Sequence, residues 1–417
     1  MNRPSVLAMV LAGGRVDELG VLTHSRPKSA VPFGGFARVI DFALSNLLHS
    51  GIERAAILSQ YRSYSLINHI GTGASWDMVG RNRGISILPP FKDYSNPHWY
   101  RGTADAVFQN LDFIRHLTPT VLLILSGDHI YHMDYRRMIR YHREMDADLT
   151  AAFVEVPIES ASRFGVAEIA DEGPLGGRVL SYEEKPEHPR HNRASLTLFC
   201  FRPSVLEEVL TKNQDAASYE FGRDIIPMML ENNYRVYGYK FNGYWGYTRT
   251  IEEYWQTSMD LLGPEPKIDM EAWGVRTNLH HRNIANRQPV KIGPQGSLVN
   301  SLAYDGCVIE GTVRNSILFP GVHVHSGAEI NDSVVMFDNI VHEGASLNRV
   351  VSDVDTVYNR GVLVGAARGE EGGRVTVIGS SNNVPAGIHV GGGCVVAPAL
   401  PAASWPETTL QDGETLP

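Results

Sequence analysis

Cysteine is scarce in this 417-residue chain: there are 3, Cys200, Cys307 and Cys394, with no Cys-x-x-Cys pair. An odd count without paired spacing excludes a disulfide framework and a zinc ribbon, and reads as buried thiols in a reducing, cytoplasmic setting. Positive charge is in deficit. Lys and Arg number 37 against 46 Asp and Glu, a formal net charge of -9. That balance excludes a broad basic face for nucleic acid, though not a local cationic pocket. Long apolar runs are missing too. No stretch approaches the roughly 18 uncharged apolar residues of a membrane span. The first apolar run, Val6 to Ala12, follows a single Arg and ends on glycines, so it reads as a β-strand and not as a signal peptide.

What is present is an ordinary folded composition, 43% hydrophobic and 20% charged. The length predicts two or three domains of about 150 residues each. Through residue 262, strand-like and helix-like runs alternate. Ser5 to Leu11, Ala55 to Ser59, Thr120 to Leu125 and Ala147 to Val156 are apolar and strand-like, while Arg38 to His49 and Thr103 to Leu117 have helical spacing. This βαβα rhythm predicts a Rossmann-like α/β domain over 1–262, built on a mixed, mostly parallel sheet. Such sheets bind ligands beyond the carboxyl ends of their strands, where Gly13-Gly14 and Gly127-Asp128 fall.

From about residue 298 the period changes. Apolar residues recur every six positions at Val322, Ala328, Val334 and Ile340, then, after a one-residue slip, at Ala345, Val351 and Val357. Gly321, Gly327 and Gly344 precede members of the series. A six-residue period predicts a left-handed parallel β-helix of roughly three to four coils over 298–398, broken by a loop at 365–373. An irregular β-sandwich is the alternative. Residues 263–297 read as a linker, and 399–417, rich in Pro, Thr and Glu, as a poorly ordered tail.

The chemistry concentrates near the first strand. In Leu11-Ala12-Gly13-Gly14-Arg15 a glycine pair lets backbone N–H groups approach a phosphate; an ordinary tight turn is the alternative. Lys28 follows in Arg26-Pro27-Lys28-Ser29, and a lysine near such a turn can neutralise phosphate charge. His323, His325, His342 and His389 lie in the hexad region. A histidine base would serve acyl transfer, but solvent-facing histidines on a prism are the simpler reading.

Longer stretches carry a resemblance. They are the Leu11–Gly35 loop, Arg38-Val39-Ile40-Asp41-Phe42-Ala43-Leu44-Ser45-Asn46, Trp99-Tyr100-Arg101-Gly102-Thr103-Ala104-Asp105-Ala106, Ser126-Gly127-Asp128-His129-Ile130-Tyr131, Phe164-Gly165-Val166, Glu183-Glu184-Lys185-Pro186, and Glu220-Phe221-Gly222-Arg223-Asp224-Ile225-Ile226-Pro227. In this order they resemble the ADP-glucose pyrophosphorylase (glucose-1-phosphate adenylyltransferase) family of sugar-nucleotide pyrophosphorylases. The resemblance implies that ATP, or another nucleoside triphosphate, and glucose 1-phosphate give ADP-glucose and pyrophosphate, in glycogen or α-glucan synthesis. It implies Asp128 as ligand of Mg²⁺, and Lys28, Asp128 and Lys185 as catalytic residues. Leu11, Ala12, Gly13, Gly14, Arg15, Gly102 and Thr103 would bind the nucleotide. Tyr100, Gly165, Glu184, Lys185 and Ser195 would bind the sugar phosphate. It also implies a homotetramer, or a hetero-oligomer with a homologous subunit, in the cytoplasm, with no nucleic-acid or membrane partner.

The chain departs from the family pattern at identifiable points. Where the family loop runs Gly-Gly-x-Gly-Thr-Arg-Leu, this one runs Gly13-Gly14-Arg15-Val16-Asp17-Glu18-Leu19, so Glu18 replaces a phosphate-steadying arginine. Tyr247 stands where the family has its second metal aspartate, Pro90-Phe91 where its base-reading glutamine is expected, and Ser29 where a proline follows the lysine. The sugar side is retained while the triphosphate and metal side is altered. A working nucleotidyltransferase and a catalytically impaired regulatory subunit of an active homologue both fit.

Overall fold

The computed structural model describes residues 5–14, 17–91, 99–214, 216–366 and 373–417. Two compact units emerge, one from Met1–Gly14 and Phe42–Trp245, the other from Arg15–Asp41 and Gly246–Pro417. The division does not follow a single cut near residue 262, because the segment after the first glycine pair belongs with the C-terminal half.

The first unit is built on a nine-stranded sheet. Its strands are β1 (Val6–Leu11), β2 (Arg54–Leu58), β3 (Gly84–Leu88), β4 (Val121–Ser126), β5 (Leu149–Glu155), β6 (Gly165–Ile169), β7 (Gly176–Glu184), β8 (Arg193–Phe201) and β9 (Val236–Phe241). Their order is β3-β2-β1-β4-β8-β5-β9-β7-β6. β1 to β4 run parallel, whereas β8 lies antiparallel to both β4 and β5. The sheet is therefore mixed. β1 and β4 are buried along most of their length, which is why both read as continuous apolar runs. The predicted helix over 103–117 is two helices, Thr103–Phe108 and Leu111–Leu117. Asn110 separates them, its side chain donating to Ala106 O at 2.8 Å and to the Tyr100 hydroxyl at 3.0 Å.

The second unit contains the hexads. Three parallel sheets of short strands run along it, with 6, 7 and 7 strands, the arrangement of a parallel β-helix. Val313 lies against Ile330, and Ile330 against Leu347, a step of 17 residues (313 to 330). The slip seen in the sequence is thus a short edge that recurs in the middle coils, where the step is 17. Gly321, Gly327 and Gly344 turn corners at φ of 84°, 74° and 71°, a left-handed conformation that an L side chain resists. Serines ladder inside: Ser333 N donates to Ser316 Oγ, and Val350 N to Ser333 Oγ, each at 3.0 Å. The buried polar groups of successive coils so satisfy one another.

The β-helix extends beyond its expected limits. It begins at Lys291–Ile292, inside the segment read as linker. The tail read as poorly ordered supplies its last strands: Thr409–Leu410 pairs with His389–Val390, and Thr415–Leu416 with Val395–Val396. Trp405 and Leu410 are buried in the same core and anchor that segment, which its Pro/Thr/Glu composition concealed. Among the described residues no helix is long and apolar enough to cross a membrane. The cysteines Cys200, Cys307 and Cys394 are all free and buried.

Candidate active site

In the first unit, β1 and β4 are neighbours, with Leu11 opposite Ser126, so the segments that follow them leave the same edge of the sheet. Ala12 N donates to Leu58 O at 2.9 Å, continuing the ladder with β2. A Cβ on Gly13 would stand 2.9 Å from Gln60 N, so packing alone accounts for that glycine. Gly14 differs: a Cβ there would meet nothing within 4 Å. The open space leaves room for a ligand against its backbone. Arg15 lies outside the described residues.

Asp128 comes directly after β4. Its Oδ1 accepts from the Ser126 hydroxyl and lies 3.5 Å from His129 Nε2. His129 is buried and packs edge-on against Trp245, with ring centroids 5.4 Å apart. The carboxylate is oriented by both neighbours and remains partly open to solvent, its side chain 26% exposed. An oriented hard oxygen donor at a strand end is suited to a hard divalent cation, which takes carboxylate oxygen.

The residues expected on the sugar side gather on and directly after β6, β7 and β8. Gly165 faces Glu184 across the β6–β7 pair, and Ser195 follows Ala194, which faces Val166. The Tyr182 hydroxyl donates to Glu184 Oε2 at 2.9 Å. A Cβ on Gly165 would overlap the Tyr182 hydroxyl, and one on Gly222 would overlap Glu184 Oε2. Both glycines make room for one carboxylate. Burial, and then the Glu184 charge, push the Tyr182 phenol well above its ordinary value, so it stays a donor. Ser195 is buried, and its Oγ accepts from Thr197 N at 3.3 Å. Lys185 carries φ +50°, a left-handed conformation unusual for lysine, held by its N–H on Phe164 O at 3.0 Å. Its side chain is exposed, and among the described residues no carboxylate pairs with it.

Two expected ligands are engaged by the protein itself. Tyr100 is buried; its hydroxyl donates to Leu88 O at 3.0 Å and accepts from Asn110. Its N–H donates to Gln60 Oε1 at 2.9 Å. Its polar groups therefore tie the sheet to the 99–110 segment instead of facing a sugar phosphate. Thr103 gives its N–H and hydroxyl to Glu220 Oε2 at 3.1 and 2.5 Å. Gly102 before it is extended, and a Cβ there would overlap Tyr219 O.

The second unit carries Lys28, only 3% exposed, with Nζ 4.9 Å above the Tyr247 ring. A lysine this buried is uncommon in soluble proteins unless it is paired or functional. Nearby, Arg249 donates to Glu18 Oε1 at 2.8 Å and to the Tyr247 hydroxyl at 3.1 Å. Its backbone N–H donates to Glu253 Oε2 at 2.9 Å. Thr250 and Glu253 form a capping box on helix Ile251–Met259, so the helix start fixes Arg249. Burial would lower the Arg249 guanidinium, but the bond to Tyr247 and the Glu18 charge outweigh it and hold the group firmly cationic.

Comparison with known proteins agrees with this layout. The family model for nucleotidyl transferase matches residues 7–263, and that for the GlmU-like C-terminal hexapeptide matches 288–384. A glucose-1-phosphate adenylyltransferase of Acetivibrio thermocellus is 37% identical, the alignment covering 100% of this chain and 98% of that protein. One of Desulforamulus reducens is 38% identical over 94% of this chain and 98% of its own length, and one of Clostridium novyi 42% identical over 79% and 85%. The chain belongs to the glucose-1-phosphate adenylyltransferase family of nucleotidyl transferases. Within that family, the departures at Glu18 and Tyr247 take on a local meaning. Both side chains bond to Arg249, which no motif in the sequence singles out. Tyr182 is marked by no motif either, and Glu220 and Gly222, though inside a family stretch, have their partners Thr103 and Glu184 only through the fold.

Proposed function

We propose that this chain is a working glucose-1-phosphate adenylyltransferase, joining ATP and glucose 1-phosphate into ADP-glucose and pyrophosphate for α-glucan synthesis. The observation that carries the reading is the sugar-side cluster. Glu184 is oriented by Tyr182 between two glycines, and Lys185 presents an ammonium that no carboxylate neutralises among the described residues. Glu184 accepts from sugar hydroxyls, Lys185 pairs with the phosphate, and Gly165 and Ser195 offer N–H and hydroxyl to the sugar. Gly14, with open space beside its backbone, receives the nucleotide phosphates, and Lys28 is the cation assigned to their charge. Gly102 and Thr103 shape the nucleotide side through backbone. Tyr100 holds that segment in place.

The chemistry needs little from the protein beyond position and charge. A phosphate oxygen of glucose 1-phosphate attacks the α-phosphorus of ATP and forms a new P–O bond. The bond from that phosphorus to the α–β bridging oxygen breaks, and its electron pair leaves on pyrophosphate. The attacking phosphate is already anionic at neutral pH, so no general base is required. Mg²⁺ held by Asp128 would offset the charge on the phosphates. The enzyme is cytoplasmic and acts as a tetramer or beside a homologous subunit.

A regulatory subunit is the second reading. It is favoured by Tyr247, a neutral phenol at the second metal-ligand position, and by an Arg249 already committed to Glu18. Pyrophosphate release from glucose 1-phosphate, with Mg²⁺ and each of ATP, UTP, dTTP, GTP and CTP, separates the two. Release with ATP at about 1 to 10³ s⁻¹ supports the enzyme. No release from folded protein that still binds glucose 1-phosphate supports the regulatory subunit.

A further inference from the structure

The histidines of the β-helix are not scattered. Glu310, His325 and His342 follow Ile309, Val324 and Val341, which stack on one another in a single parallel sheet. Glu310, His325 and His342 thus occupy the same corner of three successive coils. His323 shares the outer face with His325; their rings stack with centroids 4.0 Å apart, and His325 stacks on His342 at 4.8 Å.

The ring nitrogens converge on one oxygen. His323 Nε2 lies 3.6 Å and His325 Nδ1 3.9 Å from Glu310 Oε2. Both distances are too long for a hydrogen bond. His323 Nε2 is buried and has no hydrogen-bond partner. A buried ring nitrogen left unsatisfied is costly unless something else occupies it. Two ligand atoms bound about 2.0–2.2 Å from one tetrahedral ion stand about 3.4 Å apart. The observed separations are near that edge; because each lone pair lies in its own ring plane, the His323 ring must rotate out of its stack with His325 to meet the same ion.

We propose that Glu310, His323 and His325 form a binding site for one divalent transition-metal ion of the zinc class. Two imidazoles and a carboxylate are a donor set suited to Zn²⁺, with a fourth position left for water. The ion ties Glu310 on one coil to His323 and His325 on the next, and His342 braces the His325 ring from the coil beyond. The site lies in the β-helix and stands whether or not the chain turns over nucleotide.

The test uses full-length, tag-free protein and Zn²⁺ in equilibrium dialysis. One Zn²⁺ per chain is expected to bind and to raise the melting temperature, with Asp128→Asn binding it unchanged. Glu310→Gln and His325→Ala are each expected to weaken binding about tenfold or more. A second measurement needs no variant. Zn²⁺ should protect His323 and His325 from carbethoxylation, read by peptide mass mapping, while exposed His389 remains reactive. Unaltered Zn²⁺ affinity in both folded variants overturns the proposal. So does equal reactivity of His323 and His325 with and without Zn²⁺.

Discussion

Arg249 and Glu18, far apart in sequence, form a charge-assisted pair at 2.8 Å. Glu18 stands where the family pattern has a phosphate-steadying arginine, so an isolated carboxylate there would repel a triphosphate. Arg249 cancels that charge and also bonds Tyr247, at the other altered position. The two departures are therefore one coupled change. A unit charge about 4 Å from another contributes about 1 kcal/mol in water and more at lower dielectric. Arg249→Gln should raise KM for ATP about tenfold, and Glu18→Gln in that background should recover most of the loss. Steady-state kinetics of the two single variants and the double variant check this. An unchanged KM in Arg249→Gln would remove Glu18 from the triphosphate's surroundings.

Gly165→Ala places a methyl group on the Tyr182 hydroxyl and beside Glu184 Oε2. The fold tolerates a small shift, but Glu184 does not keep its position. A displacement of about 1 Å in a positioned group can remove about 10²-fold in rate. We expect kcat/KM for glucose 1-phosphate to fall by about that factor with little change in melting temperature. Tyr182→Phe in the same background removes the overlapping oxygen and should restore part of the activity. No recovery would place the effect in the remaining ring-carbon overlap at 2.5 Å or in the lost bond to Glu184.

The sheet was legible because Thr120 to Leu125 and Ser5 to Leu11 are buried apolar runs ending in glycine, and the β-helix because its period has no helical counterpart. The recurrence of the one-residue slip from coil to coil, the early start at Lys291 and the ordered tail were not legible. There, isolated apolar residues such as Trp405 and Leu410 carry the packing within a polar composition. Motif order located Gly165, Glu184 and Lys185. It could not reveal that Tyr100 gives its hydroxyl proton to Leu88 O, or that Arg249 reaches Glu18. Such partners are set by chain closure, and no local pattern records them. The histidines read as solvent-facing singles because a coil-to-coil register is invisible until the coil length is known.

Stability should fall on the acid side through His142. This residue is buried on helix Tyr135–Glu144, with Nδ1 2.9 Å from Thr150 Oγ1. Burial, then Arg202, lower its pKa from 6.5 to about 4. The unfolded chain takes up the proton near 6.5, the folded one only near 4. The stabilisation is present above 6.5 and is lost progressively between those values, as the unfolded state binds more protons. At pH 5 the loss is about 2 kcal/mol. Urea unfolding at pH 7 and pH 5 measures it, and His142→Gln should flatten the difference. An equal slope in the variant would assign the acid limb to other groups.

On the proposed reading Asp128 is the metal ligand and Tyr247 stands where the family pattern has its second aspartate, so the divalent-ion requirement should be high, and Tyr247→Asp should lower the half-saturating Mg²⁺ concentration about tenfold. Titration of pyrophosphate release against Mg²⁺ gives the comparison. If Tyr247→Asp abolishes release instead, the phenol over Lys28 is a working part of a rearranged site.

Lys185 offers the sharpest division between binding and structure. Its backbone is left-handed at φ +50°, pinned to Phe164 O, while its ammonium is exposed and unpaired among the described residues. A structural role would sit in the backbone, and a binding role in the charge. A charge-assisted bond to a phosphate contributes about 1.5–3 kcal/mol. Lys185→Gln keeps the length and the backbone but removes the charge, so KM for glucose 1-phosphate should rise roughly 10- to 100-fold. KM for ATP and the melting temperature should stay close to those of the unaltered protein. Lys185→Arg, which keeps the charge on a longer side chain, should recover most of the affinity. Unchanged KM in Lys185→Gln would place the sugar phosphate away from β7, and the Tyr182–Glu184 pair would then need another ligand.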